Sequence, residues 1–308
     1  MGIEIEVQGT RADWGGGDPA DIRAVCESAA ACFEQAVTEK PLEAIRIEPG
    51  DLGHPRTVYE RTPAGQIRVR LSARERYWAK FVYQFAHEFV HVLANLPRAE
   101  PASRAGGWID ESLADAGSLY ALRRMAREWT ARAPYDHWRA YAPAFGAYAA
   151  AHLAEPAHQR PAGESFAAWL APRLPALEAD LSRRAEQTIV ARQLLPVFEG
   201  DPAAWRAVRA LNLFEPAPFP AVLDAWRAAV PVRDRAVVDR IASALAVRTP
   251  RPAALYTKSE YQAALARLAR RPAELTDHDE AVLATVDPKL AQKGREARAK
   301  ASTGRLAS

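Results

Sequence analysis

The chain has 308 residues, of which 49% are hydrophobic and 26% are charged. This composition is typical of a folded globular protein and excludes disorder along the whole chain. The first residues lack the basic start and apolar core of a secretion signal, and no stretch approaches the roughly 18 apolar residues of a membrane span. We therefore expect a cytoplasmic protein with no membrane partner.

The net charge of +3 reflects the C-terminal end rather than the whole chain. Residues 289–308 contain six Lys/Arg and one acidic residue, whereas the remainder has 35 basic and 37 acidic residues. A nearly neutral body does not favour nucleic acid as a partner. The two cysteines, Cys26 and Cys32, do not share a helical face, so we expect free thiols and no disulfide scaffold.

The first 130 residues mix strand and helix patterns. Ile3, Ile5 and Val7 alternate with acidic residues, as in a half-buried strand, and Asp18 followed by Pro19 is typical of a helix start. The pattern predicts strands at 3–7, 44–48, 56–61 and 66–71, and helices at 19–38, 75–96 and 109–130.

From about residue 135 onward the sequence predicts helices broken by prolines, and no strand. The expected fold class is α+β, with a small N-terminal mixed sheet followed by an all-helical part. We expect a catalytic domain at 1–130, a helical domain at 131–248 that completes the cleft, and short helices with a basic, flexible tail at 249–308.

A candidate metal site lies in the predicted helix 75–96. His87 and His91 are four residues apart and therefore lie on one helical face, with Glu88 beside them. The other positions of this helix are apolar, which predicts that the helix is buried and that both histidines need a polar partner. The segment Trp108-Ile109-Asp110-Glu111-Ser112-Leu113-Ala114-Asp115, which opens the next helix, offers Glu111 as a third ligand.

Two imidazoles and one carboxylate leave a fourth zinc position for water, as in catalytic rather than structural sites. Zinc lowers the pKa of such a water towards about 7, and a neighbouring carboxylate can take its proton and pass it to the leaving amine. A closed structural zinc site, a relative without catalysis and a chance match are the alternatives to a zinc hydrolase.

The motif HEFVH, followed by 19 residues and then by the glutamate of WIDESLAD, resembles the gluzincin zinc peptidases, and among them the zinc aminopeptidases. The resemblance covers residues 66–120. It implies one zinc ion per chain, a peptide or protein substrate, and peptide-bond hydrolysis by a zinc-bound water that a glutamate activates. The zinc ligands that it implies are His87, His91 and Glu111.

The resemblance also implies roles around the zinc ligands. Glu88 corresponds to the general base, and Asp115 to the acid that orients His87. The strand 66–71 corresponds to an edge strand that binds extended substrate, which makes Arg68, Val69 and Arg70 substrate-binding candidates. For the residue that stabilises the oxyanion we select Tyr148 from a larger set of candidates. The others are Tyr141, His137, His152 and His158.

Other functions stay open at this point. The chain lacks the Gly-x-Met-Glu-Asn segment by which the aminopeptidases bind a substrate amine, so the sequence leaves endopeptidase and exopeptidase activity open. A regulatory or toxin-like protease with one protein target is the runner-up, followed by an inactive binding relative. A protein that binds nucleic acid or an acidic partner through its basic tail is a further class, but no aromatic residue is interleaved there for base stacking.

Overall fold

The computed structural model contains two compact units, Met1–Val247 and Arg248–Ser308. The residues that the structure describes are 3–38, 42–51, 53–58, 60–95, 106–214, 217–246, 258–270, 274–284, 289–290, 292–294 and 296–297. Within these ranges, no helix combines the length and the apolar character that crossing a bilayer requires.

The first unit begins with a four-stranded sheet. Its strands are β1 (Ile5–Val7), β2 (Ile45–Pro49), β3 (Arg56–Val58) and β4 (Ile67–Leu71). The order across the sheet is β1-β2-β4-β3, with β3 antiparallel to β4 and the other pairs parallel. The prediction that strand 66–71 is an edge strand is therefore wrong, because β4 has a partner on each side and β3 forms the edge.

Alternation of side chains gives the sheet one buried and one polar face. Ile67, Val69 and Leu71 of β4 are buried, whereas the intervening Arg68 and Arg70 lie on the other face. The α+β class is confirmed, and the predicted elements of the first 130 residues occur in the predicted order, except that the single helix predicted at 19–38 is two helices, Pro19–Ala31 and Glu34–Val37. Helix α1 (Pro19–Ala31) starts as predicted, since the Asp18 carboxylate accepts a hydrogen bond from the Ala20 amide at 2.9 Å.

Two helices follow the sheet and form the centre of the unit. They are α3 (Trp78–Leu93) and α4 (Gly107–Arg132), and nearly every residue of α3 is buried. The two helices approach closely at Gly117 of α4, where an added Cβ would lie only 2.4 Å from Val90 Cγ2. Any side chain at position 117 would therefore push the helices apart.

Eight further α-helices belong to the described part of the first unit. Their bounds are α2 (Glu34–Val37), α5 (Ala142–Ala154), α6 (Phe166–Leu170), α7 (Leu174–Ala179), α8 (Arg184–Gly200), α9 (Trp205–Val208), α10 (Ala221–Ala229) and α11 (Arg235–Ala244). The described part of 135–246 contains no strand, as predicted. These helices and the sheet contribute to one continuous hydrophobic core, in which Trp205 stacks on Phe198 at 3.9 Å between ring centroids.

The second unit contains helices α12 (Lys258–Arg270) and α13 (Asp277–Ala284) around a small core of Ala264, Leu275, Val282 and Leu283. We expected no ordered structure from residue 287 onward, but the described residues between 289 and 297 are helical and Leu290 packs on this core. The remainder of the predicted tail, 298–308, lies outside the described residues.

Candidate metal centre

Helix α3 presents His87 and His91 on one face, as their spacing predicts. Both residues are buried, with 7% and 4% exposure, and their Nε2 atoms lie 3.2 Å apart. The rings meet nearly edge to face, with centroids 4.9 Å apart. The two Nε2 atoms are therefore close enough to bind a single ion.

Glu111 of α4 completes a group of three ligand atoms. Its Oε2 atom lies 3.4 Å from His87 Nε2 and 3.5 Å from His91 Nε2. Ligands at zinc bond lengths of 2.0–2.2 Å in a tetrahedral arrangement are about 3.3–3.5 Å apart. The three measured separations match this spacing, so the residues fit a zinc ion in both type and position.

Two carboxylates determine which nitrogen of each histidine points into this group. His87 Nδ1 is 3.1 Å from Asp115 Oδ1, and His91 Nδ1 is 3.3 Å from Asp110 Oδ1. Because a carboxylate only accepts hydrogen bonds, each Nδ1 carries a hydrogen and the lone pair of each neutral ring is on Nε2. This arrangement supports the predicted role of Asp115 and adds Asp110, whose role the sequence analysis missed.

The carboxylates around His87 and His91 favour a positive charge on the two rings. Burial lowers the pKa of His87, but hydrogen bonds to Asp115 and Glu111 outweigh it and raise the pKa to about 9. Burial also lowers the pKa of His91, yet the charges of Asp110 and Glu111 leave it well above its usual value. The surrounding carboxylates therefore favour protonated histidine rings, and a bound metal ion would displace those protons.

Three further residues hold these carboxylates. Thr188 of α8 donates to Asp115 Oδ2 at 2.8 Å, and the Tyr83 hydroxyl donates to Asp115 Oδ1 at 3.1 Å. Asn212 donates to Asp110 Oδ2 at 3.2 Å and to the carbonyl of Ala94 at 2.9 Å. The carboxylates that orient the histidines are thus tied to distant parts of the chain.

Glu88 lies beside the histidines and is only 3% exposed. Its Oε2 atom accepts a hydrogen bond of 2.8 Å from Thr57 Oγ1, which connects the edge strand β3 to helix α3. Glu88 lines the same cleft as His87 and His91. Thr57 was missed, because its position within a strand carries no signal of this contact.

A cleft of about 570 Å³ opens over this group. The residues that line it are Pro55, Arg56, Thr57, Val58, Glu60, Arg68, Arg70, His87, Glu88, His91, Glu111 and Arg184. Of these, only Arg184 comes from the part of the chain after α4. Its Nη1 donates to Glu111 Oε2, and about half of its side chain, 51%, is exposed.

Two of the three substrate-binding candidates line the cleft and the third does not. Arg68 and Arg70 line the cleft, whereas Val69 is fully buried in the core, so its side chain cannot contact a substrate there. Arg68 makes two hydrogen bonds of 2.8 Å to Glu48, and Arg70 Nε is 3.3 Å from the same carboxylate. Much of the positive charge of these two arginines is thus compensated within the sheet.

Tyr148 is not among the described residues that line the cleft. Its ring packs against that of Tyr83, with centroids 5.9 Å apart. The alternatives also lie away from the cleft. Tyr141 accepts from the Ala79 amide, and His152 is 3.1 Å from the Tyr83 hydroxyl.

A second group of possible ligands consists of His152, Glu155 and His158. His158 Nδ1 already donates to the carbonyl of His152 at 2.7 Å, and the side chain of Glu155 is 56% exposed. These features are less favourable for metal binding than the buried, oriented group in the cleft.

Comparisons of the chain with protein-family models, with curated proteins and with solved structures gave no match.

Proposed function

We propose that the chain is a zinc-dependent peptidase that hydrolyses peptide bonds, with one zinc ion bound by His87, His91 and Glu111. The observation that carries this proposal is the meeting of the three ligand atoms within 3.5 Å of one another, at a cleft that Glu88 also lines. Zinc in such a site polarises a substrate carbonyl and acidifies a water molecule.

Glu88 supplies the proton transfer in this proposal. Because Thr57 donates to Oε2, the Oε1 atom is the one that accepts the proton of the attacking water. The same carboxyl group then donates this proton to the nitrogen of the scissile bond, so that an amine leaves. Asp115 and Asp110 keep the histidines in the required orientation throughout.

The open edge of β3 is the proposed binding surface for the substrate backbone. Among the described strands β3 is at the edge of the sheet, and all three of its residues line the cleft. An extended peptide can pair with such an edge through main-chain hydrogen bonds. Arg68 and Arg70 are then contacts for substrate side chains.

We also propose a cytoplasmic location, which the free, buried Cys26 and Cys32 support.

The test combines metal analysis with a quenched peptide library. We expect about one zinc per chain and hydrolysis that a chelator removes and added zinc restores. Glu88→Gln should retain zinc but lose at least about 100-fold in turnover, whereas Glu111→Ala should lose zinc. Glu60→Gln is the matched control, since Glu60 lines the same cleft but is 88% exposed.

Two results would contradict the proposal. One is full zinc retention in Glu111→Ala by elemental analysis, which would show that Glu111 is not a ligand. The other is unchanged turnover in Glu88→Gln, which would remove the proposed general base.

A further inference from the structure

Arg184 is the one described residue beyond helix α4 that lines the cleft. It is the first residue of α8, and its side chain is half exposed even though Nη1 donates to the buried carboxylate of Glu111. A guanidinium has five N–H donors in a rigid plane. Among the described residues, the Arg184 guanidinium makes one hydrogen bond, from Nη1 to Glu111. Its other N–H groups are therefore available to a ligand in the cleft.

The hydrogen bond from Arg184 ends on one of the proposed ligand atoms. The oxygen that accepts from Arg184 is Glu111 Oε2, the same atom that lies 3.4 and 3.5 Å from the two histidine Nε2 atoms. One carboxylate oxygen therefore separates the guanidinium from the point where the three ligands meet. A carbonyl oxygen that approaches this point from the cleft also approaches the free N–H groups of Arg184.

We propose that Arg184 binds the carbonyl oxygen of the scissile peptide bond and stabilises the negative charge that develops on it, an inference that rests on the proposed peptidase function. When water attacks, a C–O bond forms and the carbonyl π pair moves to the oxygen, where Arg184 donates to it. The pair then returns, the C–N bond breaks, and Glu88 delivers its proton to the leaving nitrogen. Fixed donors at such an oxyanion contribute about 10²–10³-fold to turnover.

The tyrosines and histidines near the site are less suited to this role. The Tyr83 hydroxyl donates to Asp115 and is 3.1 Å from His152, so it is already engaged. Tyr148 packs beside Tyr83 and does not line the cleft. Arg56, Arg68 and Arg70 also line the cleft, but among the described cleft arginines Arg184 alone donates to one of the proposed metal ligands.

Arg184 could have a purely structural role, which is to hold Glu111 in place. The test must separate this role from stabilisation of the oxyanion. Arg184→Gln and Arg184→Lys are compared with Arg183→Gln, which removes the same charge one residue earlier. Arg183 pairs with Glu186 and does not line the cleft. Each variant is analysed for zinc content, for kcat and KM, and for binding of a phosphinic peptide, whose anionic tetrahedral group resembles the reacting centre.

We expect Arg184→Gln to lower kcat and phosphinic-peptide affinity each by about 100-fold, with zinc content unchanged and KM changed by less than about threefold. Arg184→Lys should recover part of both losses, and Arg183→Gln should behave like the parent protein. Unchanged affinity and kcat in Arg184→Gln would overturn the inference. Loss of zinc in this variant would also overturn it, because it would show that Arg184 only holds Glu111 in place.

The parent protein separates this inference from the proposed function. If it binds zinc and cleaves peptides while Arg184→Gln does so equally well, only the role of Arg184 is rejected. If the parent protein holds no zinc and binds no phosphinic peptide, the proposed function fails and the role of Arg184 fails with it.

Discussion

The acidic residues around the histidines differ in how many donors each one accepts. Asp115 accepts from His87, Tyr83 and Thr188, while Glu88 accepts from Thr57 alone among the described side chains. A carboxylate with three donors is firmly oriented, as a group that holds a metal ligand should be. A carboxylate with one donor keeps an oxygen free, as a group that transfers protons requires.

Replacing Thr57 by valine tests this difference. The change keeps the shape of the side chain but removes the hydrogen bond to Glu88, and bonds to charged groups contribute about 1.5–3 kcal/mol. We expect turnover to fall about tenfold or more, with zinc content unaffected. Thr57→Ser keeps the hydroxyl and should retain most of the activity. Equal activities of the valine and serine variants in a peptide assay would argue against a role for this hydroxyl.

Zinc uptake should release protons. Without a metal ion, the neighbouring carboxylates raise the pKa of His87 to about 9 and hold that of His91 well above its usual value, so protonation of the rings is favoured. Zinc must displace these protons, and its apparent affinity should therefore increase as the pH rises towards about 9. Calorimetric titrations at pH 7 in two buffers of different ionisation enthalpy should show release of at least about one proton. An affinity that is constant between about pH 6 and 8 would contradict this protonation scheme.

Helices α3 and α4 carry all three proposed zinc ligands, so their separation controls the site. His87 and His91 come from α3, and Glu111 with both orienting aspartates comes from α4. The close approach joins Gly117, two residues after Asp115 in α4, to Val90, the residue before His91 in α3. A small change in the distance between these helices would alter the ligand separations.

Gly117→Ala should therefore affect both stability and metal binding. The new Cβ would lie 2.4 Å from Val90 Cγ2, and overpacking of this kind costs about 1–3 kcal/mol. We expect a lower midpoint of denaturant unfolding and weaker zinc binding. Gly146→Ala is the matched control, because there the nearest atom to an added Cβ, that of Ala126, is at a comfortable 3.6 Å. This control should be neutral or slightly stabilising, and similar effects of the two changes would show that Gly117 has no special packing role.

At the scale of elements, the local patterns were sufficient to predict where strands and helices lie but not how they pair. The apolar alternation of Ile67, Val69 and Leu71 identified β4, yet its position inside the sheet depends on β3, whose three residues carry only a weak pattern. Helix geometry accounts for the common face of His87 and His91 on α3, whereas Glu111 of α4 was inferred from its spacing and from the family resemblance.

The remaining contacts of the site arise from tertiary packing, which no local pattern encodes. Arg184 and Thr188 meet residues that are 73 positions away, and Asn212 meets Asp110 at a separation of 102 positions. Tyr148 was selected because the resemblance implies a Tyr or His from the helical part and because Tyr141 looked like a core aromatic, and such criteria do not show which way a ring faces. Its proposed catalytic role stays a prediction.

In the whole molecule, every described residue of the candidate site belongs to the first unit, Met1–Val247. The second unit has a core of its own, and an ion pair between Arg267 and Asp279 with contacts of 2.6 and 3.0 Å. We therefore expect that deletion of residues 248–308 leaves zinc content and hydrolysis of short peptides unchanged. Loss of zinc on deletion, measured by elemental analysis alongside the circular dichroism spectrum, would show that the first unit depends on the second.

The long sequence separation of Arg184, Thr188 and Asn212 from the ligands has a consequence for the order of events during synthesis. A nascent chain that has left the ribosome as far as α4 already contains His87, His91 and Glu111, but it lacks the residues that hold Asp115 and Asp110 from the far side. The proposed peptidase would thus acquire an ordered centre only after residue 212 has emerged. In the proposed peptidase such timing would delay proteolytic activity until most of the first unit can fold, and would protect the growing chain from premature cleavage.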